Sequence, residues 1–206
     1  MLRRTTLGVV GSVGAGSVLA WSARAARRRD VSEREARVFR RFNRARDLPE
    51  APLWAVMQAG SLAAVFVVAG AKRAARRPRE ATIVLAIGTA VWLGVKLVKP
   101  LIGRGRPADH LDGVTVRGRP QSGLGYPSGH AAVATTLALT AAASGPSRLF
   151  GLSVAALAGS SRMYVGAHLP LDVVAGAATG IVIGATLNLV TGVPAPGPAY
   201  DRLPAT

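Results

Sequence analysis

Long uncharged stretches alternate with short charged ones along this chain, and the alternation predicts most of its elements. Uncharged runs cover 51–71, 81–95, 131–147 and 173–200. The longest reach the roughly 20 residues that carry a helix across about 30 Å of hydrocarbon. A weaker, glycine-rich apolar segment, 5–22, follows Arg3 and Arg4. It reads either as a first transmembrane helix or as the core of a signal peptide. Ala23-Arg24-Ala25 has the small-x-small form of a cleavage site, but the cluster Arg27 to Arg29 just beyond makes an awkward mature start and favours an uncleaved helix.

Segment 31–47 is charged, with Val31, Ala36, Val38, Phe39 and Phe42 spaced so that much of the apolar surface shares a face. It predicts an amphipathic helix lying along the membrane interface, arginines toward headgroups and Phe39 and Phe42 dipping inward; the competing reading is a solvated linker. Pro49 and Pro52 open a second helix running to about Ala71, and 72–80 is a short basic turn. A third helix covers 81–98, with Lys96 snorkelling toward the same interface as Lys99. The glycine- and proline-rich stretch 99–126 is a loop. Helix four starts at Ser128 or Gly129 and breaks at Gly145-Pro146, helix five covers 147–165, and helix six runs from Leu169 or Pro170 to about Leu189. The tail after Val193 has the composition of a disordered segment.

The expected class is therefore all-α: a polytopic membrane helical bundle of about six transmembrane helices plus an amphipathic interfacial helix. Residues 1–50 form an N-terminal membrane segment and basic interfacial helix, 51–193 a membrane-embedded core, and 194–206 a flexible tail. Composition agrees, since 206 residues make one domain and 50% hydrophobic content with 5% aromatics and 24 glycines is unusual for a soluble globule. A net charge of +16 would suggest nucleic acid in a soluble chain. Position argues for the membrane instead: ten arginines fall within 24–46 and five basic residues within 72–79, where helix ends meet anionic headgroups. The partners expected are a membrane and no nucleic acid. With no cysteine, disulfides and thiolate metal sites are excluded.

Eight polar residues between Lys99 and Asp172 fit together around a phosphate: Lys99, Arg106, Ser128, His130, Ser161, Arg162, His168 and Asp172. Against apolar helices each is costly to keep without a ligand or partner. Pro127-Ser128-Gly129-His130 has the form of a helix opening, with a serine able to cap, a glycine that admits another group to the backbone, and free amides suited to an anion. Pro170 favours a second helix start just after His168, so Asp172 falls in its first turn, able to reach back and orient the imidazole. A phosphoester in its transition state is stabilised mainly by fixed positive groups, and Lys99, Arg106 and Arg162 are the candidates. Counting crossings puts the ends of helices three and five and the starts of helices four and six on one face, where all these residues meet. Asp109, His110 and Asp112 match no motif and read as loop residues.

Three clusters carry a resemblance: Lys99 followed after six residues by Arg106-Pro107; Pro127-Ser128-Gly129-His130; and Ser161-Arg162, His168 and Asp172. In this order they resemble the three signature motifs of the type 2 phosphatidic acid phosphatase superfamily, which also includes vanadium haloperoxidases and bacterial acid phosphatases. The resemblance covers roughly residues 50 to 190. It implies that His168 is the nucleophile, giving a phosphohistidine intermediate, that His130 is the general acid for the leaving alkoxide, and that Asp172 orients His168. It also implies that Lys99, Arg106, Ser128, Gly129 and Arg162 bind the substrate phosphate, with no metal or other cofactor.

The function expected is an integral membrane phosphatase hydrolysing a lipid phosphomonoester or pyrophosphate of the phosphatidic acid, phosphatidylglycerol phosphate or polyprenyl diphosphate class. The alternative is a non-catalytic lipid-phosphate binder or flippase that keeps the cage without turnover. A cytoplasmic amino terminus puts the site on the extracytoplasmic face, as the resemblance implies, and 72–79 inside. It also puts the ten-arginine segment outside, against the positive-inside tendency.

Overall fold

Every regular element among the described residues, 2–28, 30–141 and 145–191 of this computed structural model, is helical. In chain order they are α1 (Leu2–Ala26), α2 (Glu33–Asn43), α3 (Glu50–Gln58), α4 (Leu62–Ala74), α5 (Pro78–Ile102), a 3-10 turn (Pro107–Asp109), α6 (Gly129–Thr140), α7 (Gly145–Tyr164) and α8 (Pro170–Thr191). The all-α class holds; the tail 194–206 lies outside the described residues.

Local chemistry sets most boundaries. Ser32, Ser61 and Ser128 cap α2, α4 and α6 by accepting from the amides of Glu35, Ala64 and Ala131. Pro78 opens α5, and Gly103, at φ 69°, closes it with its amide bonded to the Lys99 carbonyl at 3.0 Å. This helix runs four residues past the expected end at Val98, through Pro100, so Lys99 sits in its last turn rather than in the loop. Lys96 lies 3.5 Å from the centroid of the Trp92 ring, a cation–π contact that occupies the expected snorkelling side chain.

Three expected elements come out differently. The second helix is two helices, α3 and α4, bent by 70°. At the bend Gly60 lies against the backbone of His130 so closely that a Cβ would collide with it, and Ser61 then caps a new helix. Helix four stops at Thr140, short of Gly145-Pro146. The amphipathic helix is shorter than 31–47, and Val38, expected on its apolar face, is 46% exposed. The inward stripe is Glu35, Ala36, Phe39 and Asn43, with Phe39 packed on Met163 and Leu169, so α2 buries this face in protein.

Packing brings the site elements together. Val84, Ile87, Val91 and Val95 of α5 form one core with Val65 and Ala69 of α4 and Ala132, Val133 and Leu137 of α6. A Cβ on Gly176 or Gly180 of α8 would meet the carbonyl oxygens of Ser128 and Ala132. These small residues, four apart, let α8 approach the backbone of α6, the mode by which helices associate where lipid offers no hydrophobic drive. Helix α1 packs along α8, with Ala26 only 3% exposed and the buried Ser22 hydroxyl 3.0 Å from that of Tyr126. The loop between α5 and α6 is pinned by Asn43, which donates to the Thr115 carbonyl at 2.8 Å and accepts from its amide at 2.9 Å.

Among the described residues, the helix through Pro78–Asp109 is long and apolar enough to cross a membrane, and α3 with α4 qualifies as a bent pair. Helix α6, with 12 residues, covers roughly 18 Å at about 1.5 Å per residue. That is short of a full crossing.

Candidate active site

The first turns of α6 and α8 lie side by side, joined by the Ser128 amide, which donates to the Asp172 carbonyl at 2.8 Å. Ser128 is fully buried and its hydroxyl caps α6, accepting from Ala131 N at 3.5 Å. Its remaining capacity toward an anion is the hydroxyl proton. Gly129 meets only the Val95 side chain, where an added Cβ would stand 3.7 Å away. No acceptor for the amides of Gly129 or His130 is found among the described residues. Two free donors at a helix start suit an anion.

His168 follows α7 and precedes Pro170, held by its amide to the Arg162 carbonyl at 3.2 Å. Its Nδ1 lies 3.4 Å from Asp172 Oδ2, which also accepts from Leu169 N at 2.9 Å. On the other edge of the ring, Nε2 is 3.4 Å from Arg106 Nη1. With a proton on Nδ1, directed at the carboxylate, Nε2 carries the lone pair. Burial pushes the imidazole from 6.5 down to about 4, with Arg106 and Arg162 adding to the effect and Asp172 opposing it. The ring is neutral at pH 7.

The three cations are held differently. Arg106 is braced by the carbonyls of Gly123 (3.0 Å), Ala167 (2.7 Å) and Ser122 (3.1 Å), which aim its fork past His168. Lys99 donates to the carbonyls of Leu124 (2.8 Å), Gly125 (3.1 Å) and Pro127 (3.1 Å), so it secures the run leading into α6 as well as supplying charge. Arg162 is 4% exposed, and its Nε has no partner. A buried guanidinium with an unmatched donor is costly unless an anion completes it. His130 lies within electrostatic reach of Arg162, His168, Arg106 and Lys99. Lys99, Arg106, Ser128, His130, Arg162, His168 and Asp172 therefore converge on the adjoining ends of α5, α6, α7 and α8, whereas the Ser161 hydroxyl turns back into α7 and donates to the Ala158 carbonyl at 2.8 Å.

Two members of the cluster were not anticipated. Arg104, 4% exposed, donates from Nη1 to Asp172 Oδ1 at 3.1 Å and to Glu35 Oε1 at 3.0 Å, and from Nη2 to Glu35 Oε2 at 2.7 Å. Glu35 Oε1 also accepts from Leu171 N at 3.0 Å. The inward spacing of Glu35 with Phe39 and Asn43, each four apart on α2, was the available signal. Of the loop residues, Asp109 accepts from the Arg106 amide at 2.7 Å and so fixes the base of that arginine. Among the described residues no group of three or more His, Cys, Asp or Glu side chains is gathered as a metal site requires.

Known proteins share this fold. The fold matches the crystal structure of Aquifex aeolicus LpxE with a TM-score of 0.70 at 26% identity, covering 79% of this chain and 98% of that one. It also matches the transmembrane PAP2-type phosphatidylglycerolphosphate phosphatase of Bacillus subtilis, TM-score 0.71 at 20% identity, over 88% of this chain and 96% of that one. An undecaprenyl-diphosphatase of Sulfolobus acidocaldarius is 34% identical over 97 residues, 46% of this chain; the chain spans about half of that relative's length, 47%. The model of the PAP2 superfamily matches residues 54–192, a stretch that contains all three motif clusters and the packed helices that bring them together, so the chain belongs to the PAP2 superfamily.

Proposed function

We propose that the protein is a multi-pass membrane phosphatase that hydrolyses a lipid phosphomonoester or pyrophosphate, taking off the terminal phosphoryl group without a metal through a phosphohistidine on His168. One observation carries the reading: the imidazole of His168 stands between Asp172 on Nδ1 and Arg106 beside Nε2. An orienting carboxylate on one nitrogen and a cation beside the other is what a phosphoryl acceptor requires, because the cation holds phosphate oxygens next to the lone pair.

In the first step Nε2 forms a bond to phosphorus as the bond to the leaving oxygen breaks, and His130 gives that oxygen its proton. In the second, His130 takes a proton from water, the water oxygen bonds to phosphorus, and the P–N bond breaks to release inorganic phosphate and restore both histidines. Charge on the phosphoryl oxygens is met by Arg106, Arg162 and Lys99 and by the free amides at the start of α6. General acid catalysis of this kind is typically worth about 10²- to 10⁴-fold. Similarity to an undecaprenyl-diphosphatase favours a polyprenyl diphosphate among the substrate classes. Phosphatidic acid and phosphatidylglycerol phosphate remain in the test panel. In this reading the site faces the extracytoplasmic side of the cell membrane, with the basic turn 72–79 in the cytoplasm and α2 at the interface.

The experiment is phosphate release in detergent from that panel with chelator present, comparing the native chain with His168→Ala and His130→Ala. Chelator-resistant turnover, vanadate inhibition and near-complete loss in both variants are expected. Full activity in His168→Ala refutes the covalent assignment. Tight binding of lipid phosphate with no turnover in the native chain would support the non-catalytic binder instead.

A further inference from the structure

We infer that Glu35 and Arg104 are positioning residues for His168: the Arg104 guanidinium, clasped by Glu35, fixes Asp172 and divides that carboxylate's charge before it reaches the imidazole. The inference rests on the phosphatase reading for its catalytic meaning, but its geometry stands apart from that reading.

Four groups from three parts of the chain form one buried line. Side-chain exposures are 6% for Glu35, 2% for Arg104, 0% for Asp172 and 4% for His168. The two Asp172 oxygens have separate duties: Oδ1 accepts from Arg104, while Oδ2 faces His168 Nδ1 and accepts from Leu169 N. Arg104 makes two bonds to Glu35, at 2.7 and 3.0 Å, and one to Asp172 at 3.1 Å. The shared cation therefore leans toward Glu35, which leaves Asp172 with more effective negative charge than a private ion pair would. Glu35 also holds the α8 backbone through Leu171 N, one residue from Asp172.

Stability alone is a poor reason for such a cluster, because buried ion pairs are often no better than well-packed apolar side chains of similar volume. A role at the reacting histidine is a better one. Helix α2 then belongs to the site, where its basic composition suggested only an interfacial anchor.

Opposite effects on His168 follow from the charge arrangement. The other groups facing the ring are Arg106 from the loop after α5, Arg162 from α7 and His130 from α6, and none of them is altered by the changes below. Removing the guanidinium charge lets the full charge of Asp172 act on the imidazole and favours its protonation. Removing the Glu35 charge turns the guanidinium wholly onto Asp172 and disfavours protonation.

The test is a carbon-13 NMR titration of labelled histidine rings in detergent-solubilised full-length protein, with His168 assigned through His168→Asn. Arg104→Gln is expected to raise the midpoint by about one unit, in the range that a nearby charge commands. Arg104→Lys is expected to stay near the native midpoint, and Glu35→Gln to leave it unchanged or lower. Loosened packing would admit water and raise the midpoint in all three variants, so a rise in Glu35→Gln overturns the inference, as does an unmoved midpoint in Arg104→Gln. Should Arg104→Gln fail to fold, the Glu35→Gln and Arg104→Lys titrations still decide. Activity gives a second readout, in which kcat falls while KM changes little in Arg104→Gln, since neither residue touches substrate. An equal rise in KM argues against a positioning role. Failure of the phosphatase reading would appear separately, as lipid phosphate bound without turnover in the native chain, and failure of the covalent assignment as turnover surviving in His168→Ala, in either case with the titration shifts intact.

Discussion

Arg106 Nη1 stands 3.4 Å from His168 Nε2, and the same nitrogen donates to the Ala167 carbonyl at 2.7 Å. The arginine is thus anchored to the residue that immediately precedes the histidine it serves. Its fork reaches Gly123 and Ser122 as well, so one planar group ties the loop before α6 to the turn before α8. A lysine has the charge and lacks the fork. Arg106→Lys is therefore expected to lose on the order of 10²- to 10³-fold in kcat/KM, the scale of removing a single preorganised donor. Steady-state kinetics on a lipid phosphate checks it, and native-like turnover in the lysine variant would show that charge alone suffices.

Acid should act on His168 later than on an ordinary histidine. The folded ring titrates near 4 against 6.5 unperturbed, chiefly through burial. Between those values the unfolded chain binds the proton and the folded chain does not, so stability rises with pH from about 4 to about 6.5, and the His168 contribution is flat above. Ring titration by NMR should place His168 below pH 5. In thermal unfolding, the native chain should lose more stability than His168→Asn as the pH falls from 7 to 4.5. A midpoint at or above 6.5 contradicts the buried neutral ring.

The motif residues were legible because their chemistry is rare in its setting. His130, Arg162, His168 and Asp172 interrupt or border apolar helices, where an ionisable side chain stands out. Glu35 and Arg104 carry equal weight in the cluster and were hidden by the opposite circumstance. Glu35 sits in a helix crowded with charge, where a carboxylate reads as a partner for neighbouring arginines. Arg104 lies two residues from Arg106 in a loop, and no periodicity says which arginine turns inward. The bend between α3 and α4 brings Gly60 against the distant His130 backbone, a contact that 51–71 alone does not record; the local signal in that stretch is Gly60-Ser61, a glycine and a capping serine inside an uncharged run.

Helix α1 is fastened to the loop entering α6 by a buried hydroxyl pair, Ser22 and Tyr126, 3.0 Å apart. Ser22 also donates to the Leu19 carbonyl at 3.0 Å, which leaves the Tyr126 proton to make the bridge. Tyr126→Phe removes a bond worth about 1 kcal/mol and keeps the ring packing. A fall of about 2–4 °C in Tm is expected for a chain of this size, with kcat unchanged. Ser22→Ala should cost a similar amount, and the double variant less than the sum, because both changes delete one interaction. Strict additivity in thermal melts would mean that the hydroxyls act independently.

Gly60 gives the sharpest separation between a packing requirement and ordinary tolerance. A Cβ there would run into the carbonyl carbon, carbonyl oxygen and Cα of His130, all backbone atoms that no side-chain rotation can clear. Gly94, in the middle of α5, has nothing within 4 Å of the same added atom. Overpacking of this kind typically costs about 1–3 kcal/mol, whereas Gly→Ala in an open helical position is favourable by up to about 1 kcal/mol. Relief at position 60 must come from moving the α3–α4 bend or the first turn of α6, and the second displaces the His130 imidazole relative to His168. Gly60→Ala is accordingly expected to lower both Tm and kcat, with kcat falling at least tenfold in protein that remains folded, while Gly94→Ala holds native kcat at equal or higher Tm. Circular dichroism melts and phosphate-release rates on the two purified variants make the comparison. Native kcat in a folded Gly60→Ala would mean that the bend absorbs the methyl group and that the close approach does not position His130.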